Sequence, residues 1–412
     1  MVSIIILGIV FFLIAVRRIG NLKFQIWQIM SLGAIAVLVT GQIAPLEAFK
    51  AINIDVMLFL FGMFVVGEAL ESSGYLSYLS YHIFRRAHSL DTLVLAILFV
   101  MGLMSAFLMN DTLAIIGTPV VLLLAQKANT TPKILMLALA FAITIGSVMS
   151  PIGNPQNLLI AINGGVKNPF ITFFRYLLLP TVINLFLAYV LLRLFYRRHF
   201  NHQPVYQEPE PITDPKLAHL SRISLILLVA LVVVKIALVF MQVEIDFRLT
   251  YIALAAAFPL IAFSPKRFNI LRKIDWFTLI FFAAMFILME SVWDSGVFQR
   301  LINGTNLNLT STIMVMAISV LLSQFISNVP LVALYLPMLM QLGVSTEELM
   351  ALAAGSTIAG NLSILGAASN VIIIQNAEQK SGQTLTFFEF VKIGIPLTAV
   401  NILVYWLFFT VL

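Results

Sequence analysis

The sequence predicts an all-α membrane protein with about ten transmembrane helices and two re-entrant hairpins, arranged as two inverted-topology repeats. Of its 412 residues, 61% are hydrophobic and 10% are charged, and the mean hydropathy is +1.02. A water-soluble domain of this composition would aggregate. Because a spanning helix needs about 20 apolar residues, the apolar runs supply several spans rather than one water-soluble core.

The composition also disfavours several functions. The net charge is +6, but the 24 Lys and Arg residues are scattered through loops without an aromatic-interleaved patch, so no nucleic-acid partner is expected. The chain has no Cys, which excludes disulfides and thiolate metal sites, and its five His residues lack metal-ligand spacing. We therefore expect no cofactor.

The apolar run from Val2 to Val16 precedes Arg17 and Arg18, the reverse of a cleavable signal peptide, and predicts a retained first helix.

Ten apolar runs predict the spanning helices. They lie near 2–16, 27–44, 54–70, 131–163, 171–196, 222–241, 247–263, 274–291, 345–377 and 388–411. Two further apolar stretches, 89–126 and 311–342, are interrupted by Asn110-Asp111-Thr112 and by Ser327-Asn328-Val329-Pro330. A polar, helix-breaking centre suits a re-entrant hairpin that does not cross the membrane.

The distribution of basic residues predicts the orientation. With the N-terminus outside, ten crossings place 18 basic residues on the cytoplasmic side, including Arg85 and Lys266, and five outside, including Lys50 and Arg300. This positive-inside bias fits an inner-membrane protein with both termini outside the cytoplasm. The Pro-rich segment 201–220 is then a cytoplasmic linker. The predicted domains are an N-terminal helix and turn (1–26), a first repeat (27–200), this linker, and a second repeat (221–412).

Three groups of residues recur in the same order along the chain. The segment 103–110 (LMSAFLMN) aligns with 321–328 (LLSQFISN) at a constant offset of 218 in the numbering. Met63, Phe64 and Glu68 recur as Met285, Phe286 and Glu290 at an offset of 222, and Ser150, Gly153 and Asn157 recur as Ser363, Gly366 and Asn370 at 213. An odd number of predicted crossings separates 54–70 from 274–291, so the repeats are inverted.

Each predicted repeat contains a hairpin tip and a second interruption, called here the first break (150–157, SPIGNPQN) and the second break (360–370, GNLSILGAASN). Irregular backbone is tolerated in a membrane only where it is buried in protein or lines a wet cavity. A helix that starts there offers free N–H groups to an anion, and the preceding half-helix offers carbonyl oxygens to Na⁺ or a protonated water. Kinks that serve only helix packing are the alternative, but four interruptions at matching positions favour a binding site.

Two overlapping sets of candidate residues follow. The predicted solute ligands are Asn110, Thr112, Asn154, Asn157, Ser327, Asn328, Ser369 and Asn370. The predicted ligands of the coupling cation are Asp111, Asn110, Ser150, Gly153, Ser363 and Gly366. Asn110, Asn154, Ser327 and Asn328 are also predicted to cap the helices that start there, with Pro155 in a first turn.

Asp111 is the most informative ionisable residue, because a carboxylate at membrane depth is costly unless it is ion-paired, metal-bound or protonated. We predict that it binds the cation or carries the proton; a simple helix N-cap is the alternative. Glu68 and Glu290 are interpreted as interfacial acids that pair with nearby basic groups. Lys235, inside an apolar run, is interpreted as a snorkelling or paired lysine of a scaffold helix.

From residue 20 onwards the sequence resembles an ion transporter superfamily that includes arsenite permeases, Na⁺/H⁺ antiporters, citrate-transporter-like permeases and divalent anion/Na⁺ symporters. The segments 110–119 (NDTLAIIGTP), 327–330 (SNVP) and 360–370 carry the resemblance. The first is similar to a pattern of arsenite permeases and related anion permeases. The dicarboxylate branch has Ser-Asn-Thr at both tips, whereas here the tips read Met109-Asn110-Asp111 and Ser327-Asn328-Val329.

The resemblance implies a homodimer in which a scaffold holds a mobile part with both hairpins, moving in elevator fashion and coupled to Na⁺ or H⁺. It implies transport of a small anion or oxyacid: an inorganic anion, an arsenite-like solute or a carboxylate. A Na⁺/H⁺ antiporter is the alternative, with Na⁺ bound by Asp111, Asn110 and Asn328. An intramembrane enzyme is disfavoured because paired catalytic aspartates, a Ser/His dyad and a His-Glu-x-x-His motif are missing from the sequence. A channel is disfavoured because no ring of charges is evident.

Overall fold

The computed structural model describes residues 2–16, 18–19, 22–200, 212–241, 248–297, 311–326 and 328–411. Their regular structure is helical apart from one short antiparallel pair, β1 (Arg18–Ile19) and β2 (Leu22–Lys23), in which Arg18 pairs with Lys23. Over the described residues, the prediction of an all-α protein is confirmed except at this pair.

The first half of the chain contains eleven described helices. They are α1 (Val2–Val16), α2 (Ile26–Val39), α3 (Pro45–Ala51), α4 (Ile54–Ser72), α5 (Tyr75–Phe84), α6 (Leu90–Ala96), α7 (Gly102–Leu108), α8 (Asn110–Lys127), α9 (Pro132–Ser147), α10 (Pro155–Asn163) and α11 (Pro169–Phe195). A π-helical turn, Ile97–Met101, joins α6 to α7. Proline occupies the first turn of α3, α9, α10 and α11, where its missing N–H costs no hydrogen bond.

The second half contains nine described helices. They are α12 (Pro215–Phe240), α13 (Leu249–Phe263), α14 (Arg267–Lys273), α15 (Trp276–Asp294), α16 (Thr312–Ile326), α17 (Asn328–Gln341), α18 (Thr346–Ile358), α19 (Ala368–Ser381) and α20 (Phe387–Val411). Two short 3₁₀ turns, Ala359–Asn361 and Ile364–Gly366, connect α18 to α19.

The start of α12 differs from the predicted boundary. The carboxylate of Asp214 accepts a hydrogen bond from the backbone N–H of Leu217 at 3.0 Å, and Pro215 follows in the first turn. The Lys266 ammonium, 2.7 Å from Asp214, holds the pKa of that carboxyl below its usual range. The end of the predicted linker (201–220) is therefore helical, while its residues 201–211 lie outside the described residues.

One predicted span is shorter in the structure, and two others are divided. The run 27–44 ends as a helix at Val39, because the chain turns at Gly41 (φ 66°) and α3 then begins at Pro45. The runs 131–163 and 345–377 each form two helices, separated at the first and second breaks. The short helices α5 and α14 were not predicted because neither is long enough to span a membrane.

Five described helical segments are long and apolar enough to cross a membrane: 90–108, 169–195, 215–235, 276–294 and 387–411. The bent pair α3 and α4, which meet at 52°, would be a sixth. Helix length thus supports several spans and leaves the number ten as a prediction. The first of these segments is one arm of the hairpin 89–126, which we predicted not to cross, so re-entrance also stays a prediction.

Helices at matching positions each pack on a helix of the other half of the chain. Helix α4 packs on α13, and α15, which matches α4 at an offset of 222, packs on α2. In the same way, α10 packs on α17 and α18, whereas α19 packs on α8 and α9. Each half therefore contributes helices that surround the break of the other half.

The helices that precede the two breaks, α9 and α18, form the buried centre. All residues from Ile134 to Ser147 are buried, as are those from Leu349 to Ile358. Helix α9 approaches α7 so closely that a Cβ atom on Gly146 would lie 2.0 Å from the carbonyl oxygen of Gly102. Such contacts between small residues are how membrane helices pack tightly. The break after each helix is consequently held at a fixed, enclosed position.

Candidate functional site

The first break is organised by two asparagines. The Asn154 side chain caps α10 by accepting a hydrogen bond from the backbone N–H of Asn157 at 2.8 Å, as predicted. The Asn157 amide Nδ2 donates to the carbonyl oxygens of Ser147, Val148 and Ser150 at 3.1, 3.2 and 3.0 Å. One side chain thus binds three carbonyl groups at and just beyond the end of α9, where the regular pattern of helical hydrogen bonds stops.

The second break repeats this arrangement. The Asn370 amide Nδ2 donates to the carbonyl oxygens of Gly360 and Ser363 at 2.6 and 3.2 Å. These two carbonyls match those of Ser147 and Ser150 at the same offset, 213, that relates Asn370 to Asn157. The sequence match between the breaks is therefore also a match of hydrogen bonds.

A glycine closes each loop. The N–H of Gly153 donates to the Ser150 carbonyl at 3.2 Å, and the N–H of Gly366 donates to the Ser363 carbonyl at 3.1 Å. A Cβ atom on Gly153 would lie 2.3 Å from the Ser147 carbonyl oxygen, and one on Gly366 would lie 2.3 Å from the Ala359 carbonyl oxygen. Only glycine permits this close approach of backbone to backbone.

A threonine from the second half completes the first break. The hydroxyl of Thr357, at the end of α18, donates to Asn157 Oδ1 at 3.2 Å and accepts from Asn154 Nδ2 at 3.1 Å. Asn154 Nδ2 also donates to the Ser147 hydroxyl at 3.2 Å. The polar side chains of the first break are thus paired with one another inside the protein.

The second break lacks hydrogen bonds that match those of Thr357. Thr144 of α9 matches Thr357, and its hydroxyl lies beside Gly360, 3.4 Å from where a Cβ atom on that glycine would be. Its Oγ1 and the Oδ1 of Asn370 are both buried without a hydrogen-bond partner among the described residues. The same is true of Ser369 Oγ and Asn361 Oδ1. Because unpaired polar atoms are costly in a membrane interior, this cluster is suited to a bound water, ion or solute.

The first hairpin tip contacts the first break. Helix α7 ends at Leu108, Met109 adopts a positive φ of 64°, and the N–H of Asn110 donates to the Gly153 carbonyl at 3.1 Å. The predicted capping role of Asn110 is wrong: Asn110 is the first residue of α8, and its Oδ1 accepts only from the N–H of the next residue, at 2.9 Å. Thr112 is buried one turn into this helix.

The second hairpin tip is only partly described. Ser327 lies outside the described residues, so its predicted roles have no structural counterpart here. Asn328 begins α17 and is buried, but its Oδ1 has no hydrogen-bond partner among the described residues, so its predicted cap is also wrong. This oxygen adds one more unpaired acceptor in the second half.

The predicted coupling acid, Asp111, is in the first turn of α8 and is partly buried. Its carboxylate makes no ion pair or hydrogen bond to another described side chain, although its own backbone N–H is bonded to Asn110. Among the described residues, no cluster of three or more His, Asp or Glu side chains could hold a metal ion. The free carboxylate therefore suits a proton or a single small cation completed by neighbouring oxygens.

The other acids behave differently from each other. Glu68 is buried and pairs with Lys380 at 3.1 Å, in agreement with its interpretation as a paired acid. Glu290 is exposed on α15 and forms no ion pair with the described residues, so the same interpretation is wrong there.

Two cavities of similar construction flank the hairpins. One includes Phe281, Met30 and Gln324 in its lining. The other is lined by Phe59 and Ile252, which match Phe281 and Met30 at an offset of 222. It also includes Met109 and Thr112 of the first tip, and Lys235. Lys235 thus borders the candidate site.

Three functional candidates were missed from the sequence. Thr144 and Thr357 match at the offset of 213 that relates the breaks, so extending that alignment upstream would have found them. Gln324 lies within the aligned segment 321–328, yet its role appears only in three dimensions. Its Nε2 donates to the Ala359 carbonyl at 2.9 Å, and its Oε1 accepts from the Ser363 hydroxyl at 2.7 Å.

Comparison with known proteins identifies the family. A family model described as citrate transporter matches residues 9–348, well over half of the chain. The chain belongs to this citrate transporter family. It is consequently a multi-pass membrane protein and a transporter, and not an enzyme. Membership also agrees with the superfamily that the motifs resemble.

Relatives are found in bacteria and plants. An uncharacterized transporter of Mycobacterium tuberculosis is 29% identical over 396 residues, which cover 90% of each chain. The silicon efflux transporter of rice, Oryza sativa, is 26% identical over 434 aligned positions, covering 90% of this chain and 89% of its own. The crystal structure of the YdaH transporter of Alcanivorax borkumensis is similar with a TM-score of 0.48 and 15% identity, covering 99% of this chain and 96% of that one.

Proposed function

We propose that this member of the citrate transporter family is a secondary active transporter of a small anion or oxyacid, coupled to Na⁺ or H⁺. One observation carries the proposal: the second break contains buried, unpaired polar atoms where the matching atoms of the first break are hydrogen-bonded. A buried site whose polar atoms lack protein partners can bind a ligand. Because the protein does not pair these atoms itself, the ligand can also be released. No cofactor is needed for such transport.

The proposed architecture has ten crossings, two re-entrant hairpins and two inverted repeats in an inner membrane, with both termini outside. The exchange of partners between matching helices supports it, because a two-fold axis between repeats produces such pairs. Ion pairs between separate helices also support it. Asp55 pairs with Arg248, both assigned outside, and Asp91 with Arg193, both assigned inside.

Alternating access is proposed to follow an elevator mechanism within a homodimer, as the superfamily resemblance implies. The mobile part would contain the hairpins, α7 with α8 and α16 with α17, together with both breaks. Three hydrogen bonds support this grouping, since they join each hairpin to the break of its own half. Asn110 N–H donates to the Gly153 carbonyl, Gln324 donates to the Ala359 carbonyl, and the Ser363 hydroxyl donates to Gln324.

The proposed solute site comprises polar side chains of both tips and both breaks. These are Asn110, Thr112, Asn154, Asn157, Ser327, Asn328, Ser369 and Asn370, joined by Thr144. Lys235 lines the cavity next to the first tip. The relatives also support a small oxygen-rich solute: the family is described by citrate, and the rice relative by silicon efflux.

Asp111 is proposed as the coupling group, with Asn110 and the backbone of the breaks at Ser150, Gly153, Ser363 and Gly366 as further cation ligands. Its unpaired carboxylate also favours a second candidate function, Na⁺/H⁺ antiport. In that function the cation is itself the substrate and no anion is carried.

Transport by purified protein in liposomes tests both candidates. We would screen arsenite, silicate, sulfate, phosphate, citrate and dicarboxylates for uptake and efflux, with and without Na⁺ and pH gradients. Gradient-dependent movement of one of these solutes would support the proposal. Exchange of Na⁺ for H⁺ that is unaffected by every solute would favour the antiporter, and no flux of any kind would contradict both.

A further inference from the structure

A third cavity, with a polar lining, lies away from both breaks, where α4, α8, α19 and the segment before α15 meet. The charged residues of its lining are Glu68, Glu71, Lys273, Asp275 and Lys380. Asn376 and Gln379 add uncharged polar groups. Neither the predicted solute ligands nor the predicted cation ligands contribute to this lining.

The acids of this cavity are held in place. Lys380 pairs with Glu68 at 3.1 Å and also with Glu71, and Glu68 accepts a hydrogen bond from the Ser72 hydroxyl at 2.6 Å. Asp275 is 4% exposed and accepts from the backbone N–H and the hydroxyl of Thr278 at 3.0 and 2.6 Å. An ionised carboxylate has about four lone-pair sites, so Glu68 and Asp275 each keep acceptor capacity for a further cation.

The charge balance of the cavity and one unpaired oxygen atom both favour a bound cation. Three carboxylates face two lysines, which leaves one negative charge in excess. Asn376 is only 2% exposed, and its Oδ1 has no hydrogen-bond partner among the described residues, while its Nδ2 donates to the Ile115 carbonyl at 3.2 Å. Carboxylate and amide oxygens are ligands for a hard monovalent cation.

The cavity also shares a helix face with the proposed coupling acid. Ile115 and Pro119 of α8 are in its lining, four and eight residues beyond Asp111. Residues at this spacing lie on one side of a helix, about 6 and 12 Å along its axis from Asp111. Opposite Ile115, α4 carries Gly67, where a Cβ atom would lie 3.0 Å from the Ile115 side chain.

We propose that this cavity is an entry site for the coupling cation, Na⁺ or a hydrated proton, on the way to Asp111. The inference rests on the proposed function. In the conformation described here, the Lys380 ammonium pairs with the acids that would bind the incoming cation, and so competes with it. Lys380 and the acids Glu68 and Asp275 therefore affect cation binding in opposite directions.

Cation binding by the purified full-length protein tests this without knowledge of the solute. Radioactive Na⁺ binding and, in parallel, proton uptake during a pH titration would be measured for the wild type and for three variants. Asp275→Asn removes a charge but keeps an oxygen that caps α15. Lys380→Met removes the competing ammonium. Glu47→Gln is the control, because Glu47 is an exposed acid that pairs with Lys50 outside the cavity.

We expect Asp275→Asn to weaken binding of Na⁺, or of the proton, by about tenfold and Lys380→Met to strengthen it by a similar factor. Glu47→Gln should match the wild type. Equal binding by the wild type and Asp275→Asn in both measurements would overturn the entry site, as would a shift of both variants in the same direction. A wild type that binds neither Na⁺ nor titrating protons would also overturn it. Solute flux in liposomes decides the proposed function separately.

Discussion

The hydroxyl of Thr357, in the second half of the chain, donates a hydrogen bond of 3.2 Å to Oδ1 of Asn157 in the first half. The matching pair, Thr144 and Asn370, makes no such bond, and both polar atoms are buried without a described partner. The two breaks therefore share one backbone design but differ in closure. In this conformation the polar side chains of the first break are paired with one another, whereas the second break has unpaired polar atoms that suit a ligand.

The two threonines provide a matched pair of variants. Thr357→Val removes two hydrogen bonds and leaves the buried Oδ1 of Asn157 without its donor, so it should lower the free energy of unfolding by about 1–3 kcal/mol. Thr144→Val removes no described hydrogen bond, so its stability should stay near that of the wild type. Its affinity for solute or cation should instead fall by about tenfold.

Unfolding in detergent and flux in liposomes would be measured for both threonine variants. If Thr144→Val lost stability as Thr357→Val does and kept its affinity, the second break would be structural as well.

The loop glycines give a second prediction. Gly153→Ala and Gly366→Ala should each abolish transport and destabilise the protein, because the added Cβ atom would lie 2.3 Å from a backbone carbonyl oxygen. Gly8→Ala in α1 is the control, since no atom lies within 4 Å of its added Cβ. Normal flux and melting temperature in Gly153→Ala would show that the first break can open without loss of function.

A third prediction concerns topology. Since the natural sequence has no Cys, single cysteines can be introduced without a background. Cysteines near Arg85 and Lys266 should react with an impermeant reagent only from the cytoplasmic side, and ones near Lys50 and Arg300 only from outside. Labelling near Arg300 from the cytoplasm would remove the argument for inverted repeats.

The sequence was sufficient for features that depend on local patterns. Long apolar runs located most helices, and the constant offset of 213 matched the breaks, whose hydrogen bonds then proved equivalent at Asn157 and Asn370. Short helices such as α14 escaped notice because they do not span a membrane. The capping prediction for Asn110 failed because the turn ends one residue earlier, at Met109, where a positive φ starts the helix.

Contacts between distant segments could not be predicted. The pairing of Lys380 with Glu68 joins residues 312 positions apart, and the bonds of Gln324 depend on how α16 meets the second break. A pattern along one helix contains no information about which residues of another helix face it. The alignment of the repeats predicts such contacts only where both halves have the same side chain at matching positions.

The fourth prediction is that Asp111 couples the cation gradient to the solute. Asp111→Asn keeps the size of the side chain and an acceptor oxygen but removes the charge. Accumulation driven by a Na⁺ or pH gradient should fall to the level of protein-free liposomes, while solute exchange at equal concentrations persists. Asp55→Asn is the control, because Asp55 is an exposed acid that pairs with Arg248 at 2.7 Å.

Gradient-driven accumulation in liposomes, compared between the wild type and Asp111→Asn, is the most direct test of coupled transport. We predict accumulation above equilibrium by the wild type and by Asp55→Asn, and none by Asp111→Asn. Accumulation by Asp111→Asn equal to that of the wild type, with the same dependence on Na⁺ and pH, would contradict it.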